Sequence, residues 1–428
     1  MAAAPNQAAS IMTEEKIKVA IIGAGLAGCV LAHALSKHSH IESTIYEENP
    51  EFSGTHVGIG LTKNAQDALK MILGPQAAVS LVHRASYTKV DNAKVKIGSG
   101  PDTDTMAFNF VGEEICHFVD KPVMINGLLQ GVHYPRLDTG KKLIQIREHK
   151  LSGTQAGNSA NAVKALTLIF QDGTEANVDA VIGCDGTFSR VRDSILREWA
   201  NEYKAKPAPF WWTENSNPVN ISLPDVREAD QSFYVGDGGV FGLYVVPRLG
   251  IAKCTMAACM RGTANGRELP IDRDFLWSHF YEWSQNYIAR NAVETILKQS
   301  SPKAKPIAGA AIEDAVILGF LFGSVRTVDD IMPAFGAFDA VRRPRCQKMI
   351  QSSNKTGKLM CGKKMRGEAN AEAYRKYLAK RWDFILNIDL EKHKEDAAKV
   401  FHDLQATAMR RHHRETSVIS GMGSLSIY

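Results

Sequence analysis

The stretch that most constrains what this chain can fold into is Lys18 to Glu47. It opens with an apolar, β-branched run, Val19-Ala20-Ile21-Ile22. Gly23-Ala24-Gly25-Leu26-Ala27-Gly28 follows, then a helix-like segment to about Ser39 and a strand-like run, Ile41 to Tyr46, that closes on Glu47. Strand, glycine-rich turn, helix, strand and acid within about thirty residues is the order of a dinucleotide-binding βαβ unit. Gly23 suits the tight turn, Gly25 lets backbone N–H groups approach a pyrophosphate, and Gly28 lets the helix pack on the strand. Phosphates would then sit at a helix N-terminus, where unpaired N–H groups and the dipole favour negative charge. Glu47, twenty-two residues past Gly25, can accept a hydrogen bond from a ribose hydroxyl. The same glycines can serve a purely structural turn; the flanking strands and the acid favour the nucleotide.

At 428 residues the chain can bury one large α/β body or two intimately packed domains. Hydrophobic content of 44% and charged content of 23% are ordinary for a soluble globular protein. The formal net charge of +5 reads as spread along the sequence. It favours anionic small molecules mildly and gives no argument for nucleic acid. Seven cysteines form no CxxC pair, which suits free thiols in a reducing compartment. Residues Met1 to Glu15 lack the order of a secretory signal. The longest apolar run, Ala315 to Val325, is too short to span a bilayer. A cytoplasmic location is the default expectation.

After Glu47 comes a Gly-rich segment with Gly54, Gly58 and Gly60, then a helix-like run from Asn64 to Leu73. That loop could pass close to a ligand or simply turn the chain. Ser86 to Val119 alternates apolar and polar residues, as strands of a mainly antiparallel sheet do. Ala165 to Asp179 reads as a hairpin around Gln171-Asp172-Gly173-Thr174. The strand ending at Gly183 runs into Cys184-Asp185-Gly186, with Ser189 as helix N-cap. Asp185 at a strand's carboxyl end lies where open α/β sheets bind ligands, although Asp-Gly alone is usually a turn. Helices are expected over Ile271 to Gln299, Ala310 to Gly323 and Val328 to Ser353. The last contains Arg342-Arg343-Pro344-Arg345, a cluster that could attract phosphate or pack against carboxylates.

With these residues in place, the chain resembles the single-component flavoprotein hydroxylases, in particular salicylate hydroxylase-like FAD-dependent monooxygenases. The resemblance runs from about Lys18 to Leu404. It is carried by Ile21 to Gly28, Tyr46-Glu47, Gly58-Ile59-Gly60-Leu61 with Asn64, Asp185 to Arg192, Ala311 to Ala315 and Phe338 to Arg345. It implies an α/β fold in which a Rossmann-like FAD-binding domain is interleaved with a mostly antiparallel substrate sheet and followed by C-terminal helices. The corresponding boundaries are a disordered start, 1–16; FAD-binding parts at 17–85, 121–200 and 301–360; substrate-domain parts at 86–120 and 201–300; C-terminal helices at 361–405; and a disordered tail, 406–428. By resemblance the first box binds the ADP half of FAD and Glu47 its ribose, while Asp185 and Gly186 contribute to FAD and NAD(P)H handling. The implied reaction is reduction of FAD by NAD(P)H, addition of O2 to give a flavin hydroperoxide, and transfer of one oxygen atom to a small phenolic or aromatic-acid ring, with secondary metabolism as one setting.

The departures from that family are specific. Its Gly-Asp box is missing before Ala311, with Gly309 as a remnant. Its His-Arg pair reads His133-Tyr134-Pro135-Arg136, leaving Arg136 as the substitute cation. The helix expected after that pair is absent, and no Arg-bearing strand is evident in Phe210 to Ile221. Tyr244 is the candidate to touch substrate, on resemblance, although a core tyrosine is the plainer reading; His56 and Arg248 are weaker candidates. Three readings follow: an FAD- and NAD(P)H-dependent aromatic hydroxylase, a degenerate non-catalytic relative lacking the second FAD box, and a non-hydroxylating flavoprotein oxidoreductase. No metal-ligand spacing appears, and the sequence leaves the oligomeric state open.

Overall fold

The computed structural model describes residues 15–51, 58–130, 136–150, 163–186, 189–195, 210–214, 230–246, 251–259, 269–270, 273–280, 283, 303–306, 310–362, 370–378 and 380–422. Strand β1 (Ile17–Ile22), helix α1 (Leu26–Leu35) and strand β2 (Ile41–Glu47) form the expected unit. Strand β1 is buried on both faces, as a central parallel strand must be, and this is why its sequence is an apolar run without alternation. Next come β3 (Gly58–Thr62), α2 (Lys63–Leu73), α3 (Pro75–Ala85), β4 (Ser86–Ile97) and β5 (Met106–Asp120). Helix α4 (Lys121–Gln130), β6 (Arg136–Thr139), β7 (Leu143–Lys150), β8 (Val163–Phe170), β9 (Glu175–Val178), β10 (Ala180–Gly183) and α5 (Arg190–Ile195) follow.

The second half contributes β11 (Phe210–Glu214), β12 (Asp230–Gly236), β13 (Gly239–Val246), β14 (Ile251–Cys259), β15 (Leu269–Pro270), α6 (Arg273–Phe280) and β16 (Lys303–Pro306). The C-terminal helices are α7 (Ala311–Phe322), α8 (Ile331–Met360), α9 (Ala371–Leu378), α10 (Asp383–Leu386) and α11 (Leu390–Met422). Helix α11 continues through residue 406, where a disordered tail was expected, and ends at Met422. The expected disordered start lies almost wholly outside the described residues.

Three sheets organise these elements. A parallel sheet has the order β10-β1-β2-β6, a nine-stranded sheet has the order β15-β16-β11-β14-β13-β12-β4-β5-β3, and β7-β8-β9 form an antiparallel meander. The large sheet is antiparallel except where β12 runs parallel to β4. The main core lies between the parallel sheet and helices α1, α2, α3, α4, α7, α8 and α11, with Val30, Leu35, Ile45, Leu69, Met124, Ile317 and Phe401 at its centre. A second core, with Tyr46, Leu168 and Phe170, fills the other side of the parallel sheet against the meander.

Helices α1 and α7 run side by side in the same direction. A Cβ on Gly319 would lie 2.5 Å from Ala34 Cβ, and the His38 ring nitrogen Nε2 meets the Gly319 carbonyl at 2.9 Å. Both N-termini therefore point toward the same end of the sheet. No helix follows Arg136, as expected, since β6 passes directly into β7; a helix, α4, instead precedes β6. Asp120 caps it by accepting a bond from Val123 N–H at 3.1 Å, and Pro122 sits in its first turn. Gly127 lets it pack on α3, since a Cβ there would fall 2.2 Å from Leu81 Cδ1.

Candidate functional site

The glycine turn is built by contacts that each glycine makes necessary. Gly23 has φ +102°, and a Cβ on it would stand 2.6 Å from the Cys184 carbonyl oxygen. A Cβ on Gly28 would stand 2.0 Å from the Gly23 carbonyl oxygen. Gly25 differs: its φ is −68°, and a Cβ there would meet nothing within 4 Å. Its smallness is not used by the protein, and it lies at the N-cap of α1 with no side chain capping the helix. The uncovered N–H groups of the first turn thus face open space, the arrangement that anions seek.

Glu47 ends β2 beside this turn. Its Oε2 accepts the Ala24 N–H at 2.8 Å, while Oε1 accepts the Asn49 backbone N–H at 3.0 Å and its side-chain amide at 2.8 Å. A carboxylate has about four acceptor positions, so room remains for one hydroxyl. Burial, assisted by the Glu47 charge, pushes the Cys29 thiol up to about 12, against a lowering influence from Lys121. Lys121 is the first residue of α4, so the antiparallel sheet has delivered a cation to the neighbourhood of the turn and Glu47.

Lys121 is near enough to the turn to act on Cys29, whereas Arg136 sits further back along β2. Arg136 pairs in the ladder with Thr44, three residues before Glu47, which is roughly 10 Å back along the strand. It is exposed and ion-paired to Asp138 at 3.1 Å. It lines a cleft of about 490 Å³ with Tyr46, Lys141 and Phe170, on the meander side of β2. The signal for Lys121 was legible: an acid cap, a proline two residues on, and apolar residues at helical spacing in Met124, Ile125 and Leu128. Asn126 and Gly127 weaken the helical pattern and hid it.

Asp185 follows β10, which lies beside β1. Its Oδ2 accepts the Arg190 and Val191 N–H groups at 2.7 and 3.1 Å, and Ser189 Oγ accepts the Arg192 N–H at 3.0 Å, so both residues cap α5. Asp185 Oδ1 is buried with no hydrogen-bond partner among the described residues, an acceptor that a ligand or water would satisfy. Gly186 has φ +75°, which the Asp-Gly turn requires. Cys184 is pushed up to about 12 by burial first and then by Asp185, Cys29 and Asp314. Asp314, in the first turn of α7, therefore belongs to the same end of the sheet.

The other predicted residues scatter. Gly58 and Gly60 lie in β3, opposite Asp120 and Phe118. Gly60 is accounted for by packing, since a Cβ would stand 3.2 Å from Cys116 Sγ. The Tyr244 backbone lies in β13, between Gln231 and Lys253. The Tyr244 side chain, His56, Arg248 and Gly309 are outside the described residues.

The arginine cluster binds carboxylates, not phosphate. Buried Glu313 accepts from Asn64 Nδ2 at 2.7 Å, from Arg342 Nη2 at 2.8 Å, and from Arg345 Nε and Nη2 at 2.7 and 2.8 Å. Arg342 Nε also reaches Asp314 at 2.7 Å. Burial resists the charge on Glu313, but Arg345, Asn64 and Arg342 outweigh it and hold the carboxyl below its usual range. For Asp314 burial prevails over Arg342, and its carboxyl is held above the usual range.

The parallel sheet with its glycine turn forms a Rossmann-type unit beside a second, large sheet. Residues 21–59 match the NAD(P)-binding Rossmann-like domain. The chain is 26% identical to 6-methylsalicylate 1-monooxygenase of Aspergillus terreus, covering 91% of this chain and 93% of the relative. It is 24% identical to a salicylate hydroxylase of Pseudomonas putida, covering 88% and 92%. A solved salicylate hydroxylase substrate complex superimposes with a TM-score of 0.70 at 18% identity, over 90% of this chain and 98% of that one. Over about nine-tenths of its length the chain is thus similar to salicylate-type and other FAD-dependent monooxygenases.

Proposed function

We propose that the chain binds FAD and uses NAD(P)H and O2 to hydroxylate a small phenolic or aromatic-acid substrate. The observation that carries this reading is the open N-terminus of α1 at Gly25, bounded by Glu47 and Lys121, in a chain similar to aromatic monooxygenases over about nine-tenths of its length. The residues present fit the adenosine diphosphate half of the cofactor. The helix N–H groups and Lys121 would hold the pyrophosphate, and Glu47 a ribose hydroxyl. Asp185 Oδ1 offers a further acceptor. When bound, the flavin supplies the redox chemistry, accepting reducing equivalents from NAD(P)H and activating oxygen. The protein's part is to hold that group against the large sheet, position the aromatic ring and exclude water.

A second reading, a relative that binds nucleotide without turnover, is favoured by one observation. The segment between β16 and α7 is four residues long and contains no Gly-Asp pair. The alignment with the Aspergillus relative spans 433 positions although only 91% of this 428-residue chain takes part, so it carries gaps in this chain. Purified protein separates the readings by its visible spectrum and by NADPH oxidation with and without phenolic acids. A yellow protein that oxidises NADPH and yields a product heavier by one oxygen atom is the expected result. A colourless protein that takes up no FAD on soaking would refute the flavoenzyme reading. Bound flavin with NADPH oxidation but no oxygenated product would leave a non-hydroxylating oxidoreductase.

A further inference from the structure

The net charge of this chain is segregated, not spread. Residues 342–381 hold thirteen lysines and arginines against two glutamates, a net of +11, so the remainder carries −6 of the total +5. The described part of this block is the second half of α8, then α9 and the turn after it.

Packing sorts these cations into two sets. Among the described arginines, Arg342 and Arg345 are taken by buried Glu313, Arg375 bonds the Ala107 carbonyl and Arg381 bonds Thr356 Oγ1, while Arg343 pairs with Asp339 at the surface. The described lysines are exposed. Lys355 and Lys358 are exposed on α8, and Lys376 and Lys380 on and just after α9, with no carboxylate in ion-pair reach among the described residues. Lys348, Lys355 and Lys358 recur at helical spacing along one side of α8. Tyr377, beside Lys376 and one turn from Lys380, is 47% exposed, with the Lys376 ammonium 5.7 Å from its ring centre.

We propose that this lysine-rich side of α8 and α9 is a docking surface for an anionic phospholipid bilayer. Clusters of four to eight cations read as sites for anionic lipid, each adding about fivefold to affinity. Lysine ammonium groups on flexible stems can reach headgroups while their stems lie on apolar surface, and tyrosine is at home at the membrane interface. A nucleic-acid surface would instead present free guanidinium forks and stacking rings. Here the described guanidinium groups each already bond to the protein. The inference does not depend on the proposed chemistry.

The test is co-sedimentation of the full-length protein with vesicles of phosphatidylcholine alone or mixed with phosphatidylserine, at low and high salt. Binding is expected to require phosphatidylserine and to fade with salt. The triple variant Lys355→Glu, Lys358→Glu, Lys380→Glu is expected to lose at least about a hundredfold in affinity. All three side chains are exposed, and an unchanged melting temperature would confirm that the fold is intact. Tyr377→Ala is expected to weaken binding severalfold without altering the salt dependence. Equal binding to both vesicles, or indifference to the triple reversal, would overturn the proposal. So would tighter, reversal-sensitive binding to duplex DNA than to the vesicles, which would assign the surface to a different polyanion.

Discussion

Replacing Gly25 and Gly28 separately by alanine distinguishes a glycine kept for a ligand from one kept for the fold. At Gly28 the new methyl would lie 2.0 Å from the Gly23 carbonyl oxygen and 3.3 Å from Ile21 Cγ2. The first obstacle is backbone, so α1 must move away from β1 or the Gly23 turn must change. Overpacking of this kind costs about 1–3 kcal/mol or more, and here it falls in the centre of the main core. At Gly25 the backbone is already at φ −68°, ψ −179°, which alanine adopts freely, and the methyl meets nothing within 4 Å. The folded protein should gain about 0.4–1 kcal/mol, because alanine restricts the unfolded chain. The same methyl would occupy the space in front of the α1 N–H groups. Losing one charge-assisted hydrogen bond there, at roughly 1.5–3 kcal/mol, weakens nucleotide binding about 10- to 100-fold. Differential scanning fluorimetry of the ligand-free proteins reads the first effect, and quenching of FAD fluorescence on titration reads the second. Gly28→Ala should lower the melting temperature by several degrees, and Gly25→Ala should leave it equal or slightly raised while binding FAD poorly. A Gly25→Ala protein that binds FAD like the parent would refute the assignment of this turn to the pyrophosphate.

Three further outcomes follow from the same geometry. Lys121→Met should weaken FAD binding about tenfold or more and flatten its salt dependence, with Lys121→Arg restoring both in titrations at two ionic strengths. Glu313→Ala should destabilise the fold by roughly 3–5 kcal/mol in urea titrations, because it strands Arg342 and Arg345 without their shared acid; an unchanged urea midpoint would show that the cluster is dispensable. Burial holds His33, His38 and His393 below the ordinary 6.5, so the unfolded chain binds more protons and stability should fall as pH drops below 6.5. Burial also raises Cys29, Cys116 and Cys184 from 9.0 to about 12, so unfolded thiolates should pull the equilibrium toward unfolding above pH 9. Thermal midpoints across pH should therefore form a plateau between these limits, and a midpoint that keeps rising below pH 6 would contradict the histidine assignment.

The sequence by itself determined the unit from β1 to Glu47 and the helix from Ala311. Their information is local: an apolar run buried on both faces, glycines fixed by a positive φ or a close approach, an acid at a strand end, and apolar periodicity. It also determined the Ser189 cap, because capping links residues only a few positions apart. Tertiary structure decided everything that depends on distant partners. Lys121 comes near the glycine turn because β5 carries the chain back to it, and the ladder register sets Arg136 beside Thr44, further back along β2. Asn64 and Glu313, 249 residues apart, became one buried network with Arg342 and Arg345. The basic block was present in the sequence all along, but only packing separated described arginines bonded to protein groups from described lysines that are exposed. Hydrogen bonds and ion pairs are satisfied by whatever the fold brings within about 3 Å, and one chain's linear pattern does not specify that partner.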